Sequence, residues 1–346
     1  MNVNYMYSLI AVLILCLLSY VGADLLGLQA LFGIWIPYLA VSIFIIGFVI
    51  RVIGWAKSPV PFRIPTTCGQ QKTLEWIKPD CIDNPSSKFG VLIRMILEIF
   101  LFRSLFRNTS MAFNKTENGV KISYRWEIWL WMAALAFHYA FLTVLVRHLR
   151  FFLEPVPLCI RVVEQLDAFF RIEYFSSVIE VGLPGIFMSG LVLLAAVIFL
   201  LLRRVFGPKV KYISLAADYF PLFLIMGIAF TGILMRYFAK VDVVGIKTLA
   251  MSLVTLHPTI PEGIGGLFYI HIFLVSVLFA YFPFSKLMHM GGVFLSPTRN
   301  LTTDTRARRH INPWNYPVKI HTYEEYEDHF REKMIEAGLP VEKEQV

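Results

Sequence analysis

The stretch that decides the fold is WEIWLWMAALAFHYAFLTVLVRH, residues 126–148. It is apolar over the length of about 20 residues that a helix needs to cross a hydrocarbon core of ~30 Å. Two histidines, His138 and His148, interrupt it, and a second apolar stretch, residues 264–289, carries His271 and His289. An imidazole inside a bilayer is costly unless something there uses it. The four histidines therefore predict a functional site between two membrane helices.

The composition of the chain points to the same environment. Hydrophobic residues make up 57% of the sequence and charged residues only 16%, which is far too apolar for an ordinary soluble domain. No alternating strand pattern recurs, which argues against a membrane barrel. The sequence predicts an all-α integral membrane protein with six transmembrane helices, at residues 6–22, 31–50, 126–146, 179–202, 213–238 and 264–288.

The basic residues predict how the chain is oriented. Of the 32 Lys and Arg residues, 25 lie in alternate connections and in the C-terminal tail. This asymmetry is the positive-inside pattern. It places both termini in the cytoplasm and the protein in the cell membrane, in contact with lipid. The net charge of +8 is then explained by topology rather than by binding to nucleic acid.

The chain divides into four predicted parts. Residues 1–50 form two N-terminal membrane spans, and residues 126–290 form a four-helix core. Between them, residues 51–125 form a cytoplasmic insertion, in which residues 58–87 are rich in turns and residues 89–106 form a helix at the membrane surface. A seventh span is the alternative interpretation of that helix. Residues 291–346 form a cytoplasmic tail, with one short helix from a cap at Thr322 to a stop at Gly338.

The spacing of the histidines predicts two haem sites, since a haem can be held between antiparallel helices by one nitrogen from each. If the third span runs outward, His138 lies ~18 Å in and His148 ~15 Å further. The sixth span returns inward, which pairs His148 with His271 at an outer site and His138 with His289 at an inner site. The sixth-span histidines, eighteen residues and five turns apart, would share one face of an ideal helix, with a rise of ~27 Å.

The unequal rises of the two histidine pairs are a difficulty that a kink at Pro283 would reduce. A hydrogen-bonded packing residue or a proton relay remains the alternative for each single histidine, and a proton or ion transporter remains the alternative for the set. Asp218 is the main other intramembrane charge available to such a relay. Zinc fits less well, because the two histidines of each helix are too far apart to share one ion.

Four further residues are candidates for the site. Arg147 and Arg150 flank His148 and could pair with haem propionates, although interfacial arginines are common. His257 and Glu262 lie in LHPTIPEGIG, just before the last span. They could handle protons at a quinone site, although both could also be ordinary loop residues.

One histidine pair ten residues apart, followed by a pair eighteen apart on the last span, resembles the gamma subunit of respiratory nitrate reductase, a quinol-oxidising di-haem cytochrome b. The extra N-terminal span and PFRIPTTCGQQKTLEWIKPDCIDNPSSKFGVLIRMILEIFLFRSLFRNT, residues 61–109, with the basic tail, resemble the M subunit of the sulfite-reduction-associated Dsr membrane complex. The cytochrome b subunit of heterodisulfide reductase is a related alternative.

The resemblance implies two b haems, with menaquinone or menaquinol as the substrate. Their axial ligands would be His148 with His271 and His138 with His289. It also implies a cytoplasmic iron–sulfur subunit, similar to that of heterodisulfide reductase, within a membrane complex of sulfur metabolism. The chain would then be an electron-transfer subunit rather than a complete enzyme.

Overall fold

The computed structural model describes residues 3–58, 72, 76–116, 119–169, 172–175, 180–183, 186–304 and 321–342. Fourteen helices are present in these residues: α1 (Asn4–Leu25), α2 (Leu31–Lys57), α3 (Lys88–Leu101), α4 (Arg103–Phe106), α5 (Ile128–Phe151), α6 (Leu158–Asp167), α7 (Met188–Phe206), α8 (Pro208–Ile213), α9 (Ala216–Ala239), α10 (Val243–Val254), α11 (Gly266–Phe284), α12 (His289–Leu295), α13 (Pro297–Asn300) and α14 (Tyr323–Glu336).

Six of these helices, α1, α2, α5, α7, α9 and α11, are long and apolar enough to cross a membrane. This confirms the predicted multi-pass membrane fold. Large apolar side chains face outward from the spans, among them Trp35, Leu39 and Ile46 on α2. Such a surface suits lipid rather than water, because a soluble protein rarely exposes large apolar patches.

The spans pack as a bundle, in which α5 lies against the antiparallel α7, and the parallel pairs are α1 with α9 and α2 with α11. The start of α1 meets the start of α9, where Asn4 Nδ2 donates to the Ser214 carbonyl at 3.0 Å. The end of α11 reaches the same place, where Lys286 Nζ lies 2.6 Å from Asp218 Oδ1. We call this end of the bundle the basic end, because it carries the Arg203–Arg204 pair and the α8 lysines.

The chain was predicted to be all-helical, but the structure also contains short strands. Strands β1 (Thr109–Thr116) and β2 (Gly119–Trp126) form an antiparallel hairpin, in which Met111 pairs with Tyr124 and Phe113 with Ile122. This hairpin was not predicted from the sequence. Its alternation is confined to two strands, too few to stand out as a repeated pattern.

The fourth span begins later than predicted. Residues 180–183 and 186–187 form short strands, β5 and β6, that follow β3 (Ala168–Phe169) and β4 (Ile172–Phe175). The helix α7 therefore starts at Met188 rather than at residue 179. Apolar residues extend the hydropathy signal across this strand segment, since hydropathy alone does not separate an apolar strand from an apolar helix.

The insertion and the tail contact each other at the basic end. The helix α3 begins at its cap Ser87, whose Oγ accepts from the Gly90 amide at 3.1 Å, and stops where Phe102 adopts φ +49°. The predicted helix over residues 89–106 is thus two helices, α3 and α4. Arg299 of the tail lies 2.9 Å from Glu98 of α3, which joins the two parts.

The short tail helix is confirmed as α14. Thr322 and Glu325 form a capping box at its start, and Gly338 adopts φ +68° just after its end. Such a left-handed glycine is a common way to end a helix. The predicted turn-rich stretch, residues 58–87, lies mostly outside the described residues.

The last span, predicted as one helix, is interrupted. After Tyr281 the chain makes a 3₁₀ turn through Pro283, becomes extended at Ser285 and makes a second 3₁₀ turn before α12 begins at His289. The kink expected at Pro283 is therefore present, and the residues from His271 to His289 do not form the five turns of an ideal helix. Proline lacks the amide hydrogen that would continue the helix.

Two glycines of α2 provide a matched test of how tightly α2 packs on this break. A Cβ at Gly47 would lie 2.7 Å from Pro283 Cβ, whereas a Cβ at Gly54 would meet nothing within 4 Å. We expect Gly47→Ala to lower the free energy of unfolding by about 1–3 kcal/mol through overpacking. Gly54→Ala should be neutral or stabilising by up to about 1 kcal/mol. Thermal unfolding in detergent measures both, and equal midpoints would contradict the packing.

Candidate functional site

The structure brings the four candidate histidines together as two pairs, although His289 lies just after the last span. His138 on α5 and His289 at the start of α12 have ring centres 5.9 Å apart. His148, near the C-terminal end of α5, and His271 on α11 have ring centres 6.4 Å apart. Each pair thus takes one imidazole from α5 and one from the last span or the residues that follow it.

The distance within each pair suits one iron held from both sides. A metal–imidazole bond is about 2 Å long and the ring centre lies about 1 Å behind the nitrogen, so two axial imidazoles have ring centres about 6 Å apart. Within the described residues, no group of three or more His, Cys, Asp or Glu side chains is arranged to hold a metal ion. Two nitrogens alone do not make a zinc site, whereas haem supplies its own four equatorial nitrogens.

The Nδ1 nitrogen of each imidazole is held by a hydrogen bond to the protein. Three of the histidines bind a backbone carbonyl through Nδ1: His138 to Ala134 at 2.7 Å, His148 to Val144 at 2.7 Å and His289 to Lys286 at 2.8 Å. A carbonyl can only accept, so Nδ1 carries the proton and Nε2 keeps a free lone pair. This is the tautomer that a metal-ligating histidine needs.

The fourth histidine is oriented by a side chain from another helix. His271 Nδ1 lies 2.9 Å from the hydroxyl of Thr231 on α9. The next residue, Gly232, also lies close, since a Cβ there would be 3.4 Å from His271 Cε1. Sequence reasoning missed Thr231, because a lone threonine in an apolar span carries no motif.

The insertion covers part of the His138–His289 pair. Phe102, at the corner between α3 and α4, packs edge-on against the His138 ring with centres 4.8 Å apart. The neighbouring Tyr139 hydroxyl donates to the Phe100 carbonyl at 3.0 Å. His289 itself is exposed. At the basic end, the His138–His289 pair is therefore accessible from outside the bundle through His289.

The two candidate arginines already have carboxylate partners in the structure. Arg147 pairs with Asp167 and lies 3.0 Å from Ser189 Oγ. Arg150 pairs with Glu164. Both flank His148 in the chain, so a propionate there would share these guanidiniums with the carboxylates. Their contact with propionates stays a prediction.

A further arginine, which the sequence analysis did not single out, lies at the same end of the bundle. The ring of Phe187 lies close to two guanidiniums, with Arg147 3.5 Å and Arg236 4.9 Å from its centre. Among the described residues, Arg236 forms no ion pair with a carboxylate, unlike Arg147. It follows Thr231 by five residues, so α9 supplies both a hydrogen-bonding and a cationic side chain to this region.

His257 and Glu262 are exposed residues of the connection between α10 and α11. His257 Nδ1 lies 2.7 Å from the Thr255 carbonyl. The structure places them at the end opposite the basic end, but it brings neither into contact with His148 or His271 among the residues described. Their part in proton handling stays a prediction.

In this bundle of membrane helices, the two imidazoles of each pair face each other. This arrangement defines the class of protein. The chain belongs to the nitrate reductase gamma subunit family, whose sequence pattern matches residues 87–309. The first two spans lie before this match, and the two histidine pairs lie within it.

Known relatives extend the comparison to most of the chain. The chain is 44% identical over 292 residues to the Hdr-like menaquinol oxidoreductase cytochrome b-like subunit of Archaeoglobus fulgidus, covering 82% of this chain and 83% of that one. The protein of the same name from Archaeoglobus profundus is 42% identical over 287 residues, 81% of each chain. The respiratory nitrate reductase 1 gamma chain of Escherichia coli is 32% identical over 113 residues, 30% of this chain and 50% of that one.

Proposed function

We propose that this protein is a membrane cytochrome b subunit that transfers electrons between menaquinol and a cytoplasmic iron–sulfur subunit through two b haems. The observation that carries the proposal is the facing of two imidazole pairs across the bundle, with ring centres 5.9 and 6.4 Å apart within each pair. In all four rings Nδ1 is hydrogen-bonded. Membership of the nitrate reductase gamma subunit family supports it.

In this proposal the protein side chains hold and orient the cofactors. His148 and His271 would ligate one iron through Nε2, and His138 and His289 the other. When bound, the haems supply reversible one-electron oxidation and reduction. Two histidines per iron leave no open position for a substrate, which favours electron transfer over oxygen chemistry. The chain would therefore be an electron-transfer subunit of an oxidoreductase complex.

The orientation of the bundle follows from its charges. The basic end should face the cytoplasm, according to the positive-inside pattern, and both termini should lie there. The His148–His271 pair then lies near the outer face, where His257 and Glu262 would accept the protons released from a quinol. The names of the two Archaeoglobus relatives support menaquinol as the quinol.

The cytoplasmic partner should bind at the basic end. There the insertion and the tail are joined through Glu98 and Arg299, and His289 is exposed. "Hdr-like" in the names of the relatives supports an iron–sulfur partner of the heterodisulfide reductase type. The sequence resemblance to the M subunit of the Dsr complex favours a role in dissimilatory sulfur metabolism.

The test of this proposal is reduction of the purified protein by a menaquinol analogue, followed at the absorption bands of b haem. We expect reduction by the quinol alone, with no other subunit present. His148→Ala should abolish rapid reduction, and His321→Ala, a histidine of the tail, should leave the rate unchanged. A protein that contains haem but is not reduced by any quinol would contradict the proposal.

A further inference from the structure

His271 differs from the other three histidines of the site in the group that hydrogen-bonds its Nδ1. Its Nδ1 lies 2.9 Å from Thr231 Oγ1 on a third helix, and the imidazole also hydrogen-bonds the backbone carbonyl of Ile228 on that helix rather than a carbonyl of its own helix. The ring of His271 is nearly parallel to that of His148, with 17° between their planes. The orientation of this imidazole thus depends on how α9 packs against α11.

The direction of the hydrogen bond follows from the other contacts of the hydroxyl. A threonine hydroxyl has one hydrogen to donate. Thr231 Oγ1 lies 2.8 Å from the Gly227 carbonyl and 3.1 Å from the Ile228 carbonyl, and both of these oxygens can only accept. The single hydrogen is therefore directed to its own helix, and the oxygen accepts the proton of His271 Nδ1. The bond fixes the tautomer that leaves Nε2 free.

We propose that Thr231 is a positioning residue for the His148–His271 haem, which it orients and tunes through His271. This rests on the proposed function, since it assumes that His271 ligates an iron. An acceptor on Nδ1 makes the imidazole a stronger electron donor and holds its ring plane. Loss of the acceptor should therefore raise the midpoint potential of this haem, because a weaker donor stabilises the oxidised iron less.

The variants that separate tuning from folding are Thr231→Val and Thr231→Ser. Valine keeps the shape of threonine and removes the hydroxyl acceptor, whereas serine restores it. The matched control is Thr143→Val on α5, whose hydroxyl bonds the Tyr139 carbonyl at 2.9 Å and contacts no histidine. Each protein is purified in detergent, and its two haems are followed by redox titration and by electron paramagnetic resonance.

We expect Thr231→Val to raise one of the two midpoint potentials, to shift one of the two low-spin signals, and to weaken haem binding at that site by about 10–100-fold. His289→Ala, which should retain only the His148–His271 haem, identifies the potential that moves. Thr231→Ser should recover the wild-type values, and Thr143→Val should keep them.

The outcomes distinguish this inference from the proposed function. Two haems with potentials and signals unchanged or lowered in Thr231→Val would overturn the role of Thr231 and leave the cytochrome intact. Equal changes in both haems would also overturn it, because only His271 contacts the hydroxyl. A wild-type protein without haem would instead refute the proposed function itself.

Discussion

Replacing His271 by alanine is expected to remove one of the two proposed b haems and leave the other. The His148–His271 and His138–His289 pairs are separate, with ring centres 6.4 and 5.9 Å apart within each pair, so each iron would depend on its own two imidazoles. A single remaining axial histidine should hold haem far more weakly. The haem content per chain, measured as the pyridine haemochrome, should fall by half.

The same result is expected for each of the other three proposed ligands, and a double variant that removes one histidine from each pair should contain no haem. His257→Ala is the matched control, because His257 is exposed and contacts neither pair. Loss of both haems from every single variant would show that the sites are not independent. Full haem content in His271→Ala would remove this histidine from the site.

Of the substitutions proposed for this protein, replacing Asp167 by asparagine is expected to cause the largest loss of stability. Asp167 is buried and joins three helices: it pairs with Arg147 of α5, and it accepts from the Ser189 amide at 2.7 Å and the Ser189 hydroxyl at 2.5 Å at the start of α7. Removing one member of a buried ion pair leaves the other charge uncompensated, at a cost of about 3 kcal/mol. Thermal unfolding in detergent should show a lower midpoint.

The Arg150–Glu164 pair is the control for this variant, since each of its side chains is 27% exposed, against 14% and 7% for Arg147 and Asp167. Solvent screens the more exposed pair, so Glu164→Gln should cost less than about 1 kcal/mol. Similar losses of stability in the two variants would contradict the structural role given to Asp167. A shift of the His148–His271 haem signal in Asp167→Asn would link Arg147 to that haem.

The membrane spans could be predicted from the sequence because burial in lipid imposes one simple rule. A run of about 20 apolar residues is needed to cross the bilayer, and every backbone group must be satisfied inside the helix. All six spans followed from this rule. It does not describe connections at the membrane surface, and so the β1–β2 hairpin and the short helix α10 were missed.

The arrangement within the site depended on features that the sequence does not display. Pro283 predicted a kink, but not the extended residue Ser285 or the second 3₁₀ turn that displaces His289 from α11. Thr231 contacts His271 from a helix forty residues earlier in the chain. A contact between residues so far apart follows from helix packing, which no local pattern specifies.

The most direct test of the account is the haem content of the wild-type protein. The protein is purified in detergent, its reduced-minus-oxidised absorption spectrum is recorded, and its haem is quantified as the pyridine haemochrome. The account predicts a b-type spectrum and about two haems per chain, one for each histidine pair. A stable, folded protein without haem would contradict it and would favour a proton or ion transporter that uses the histidines as a relay.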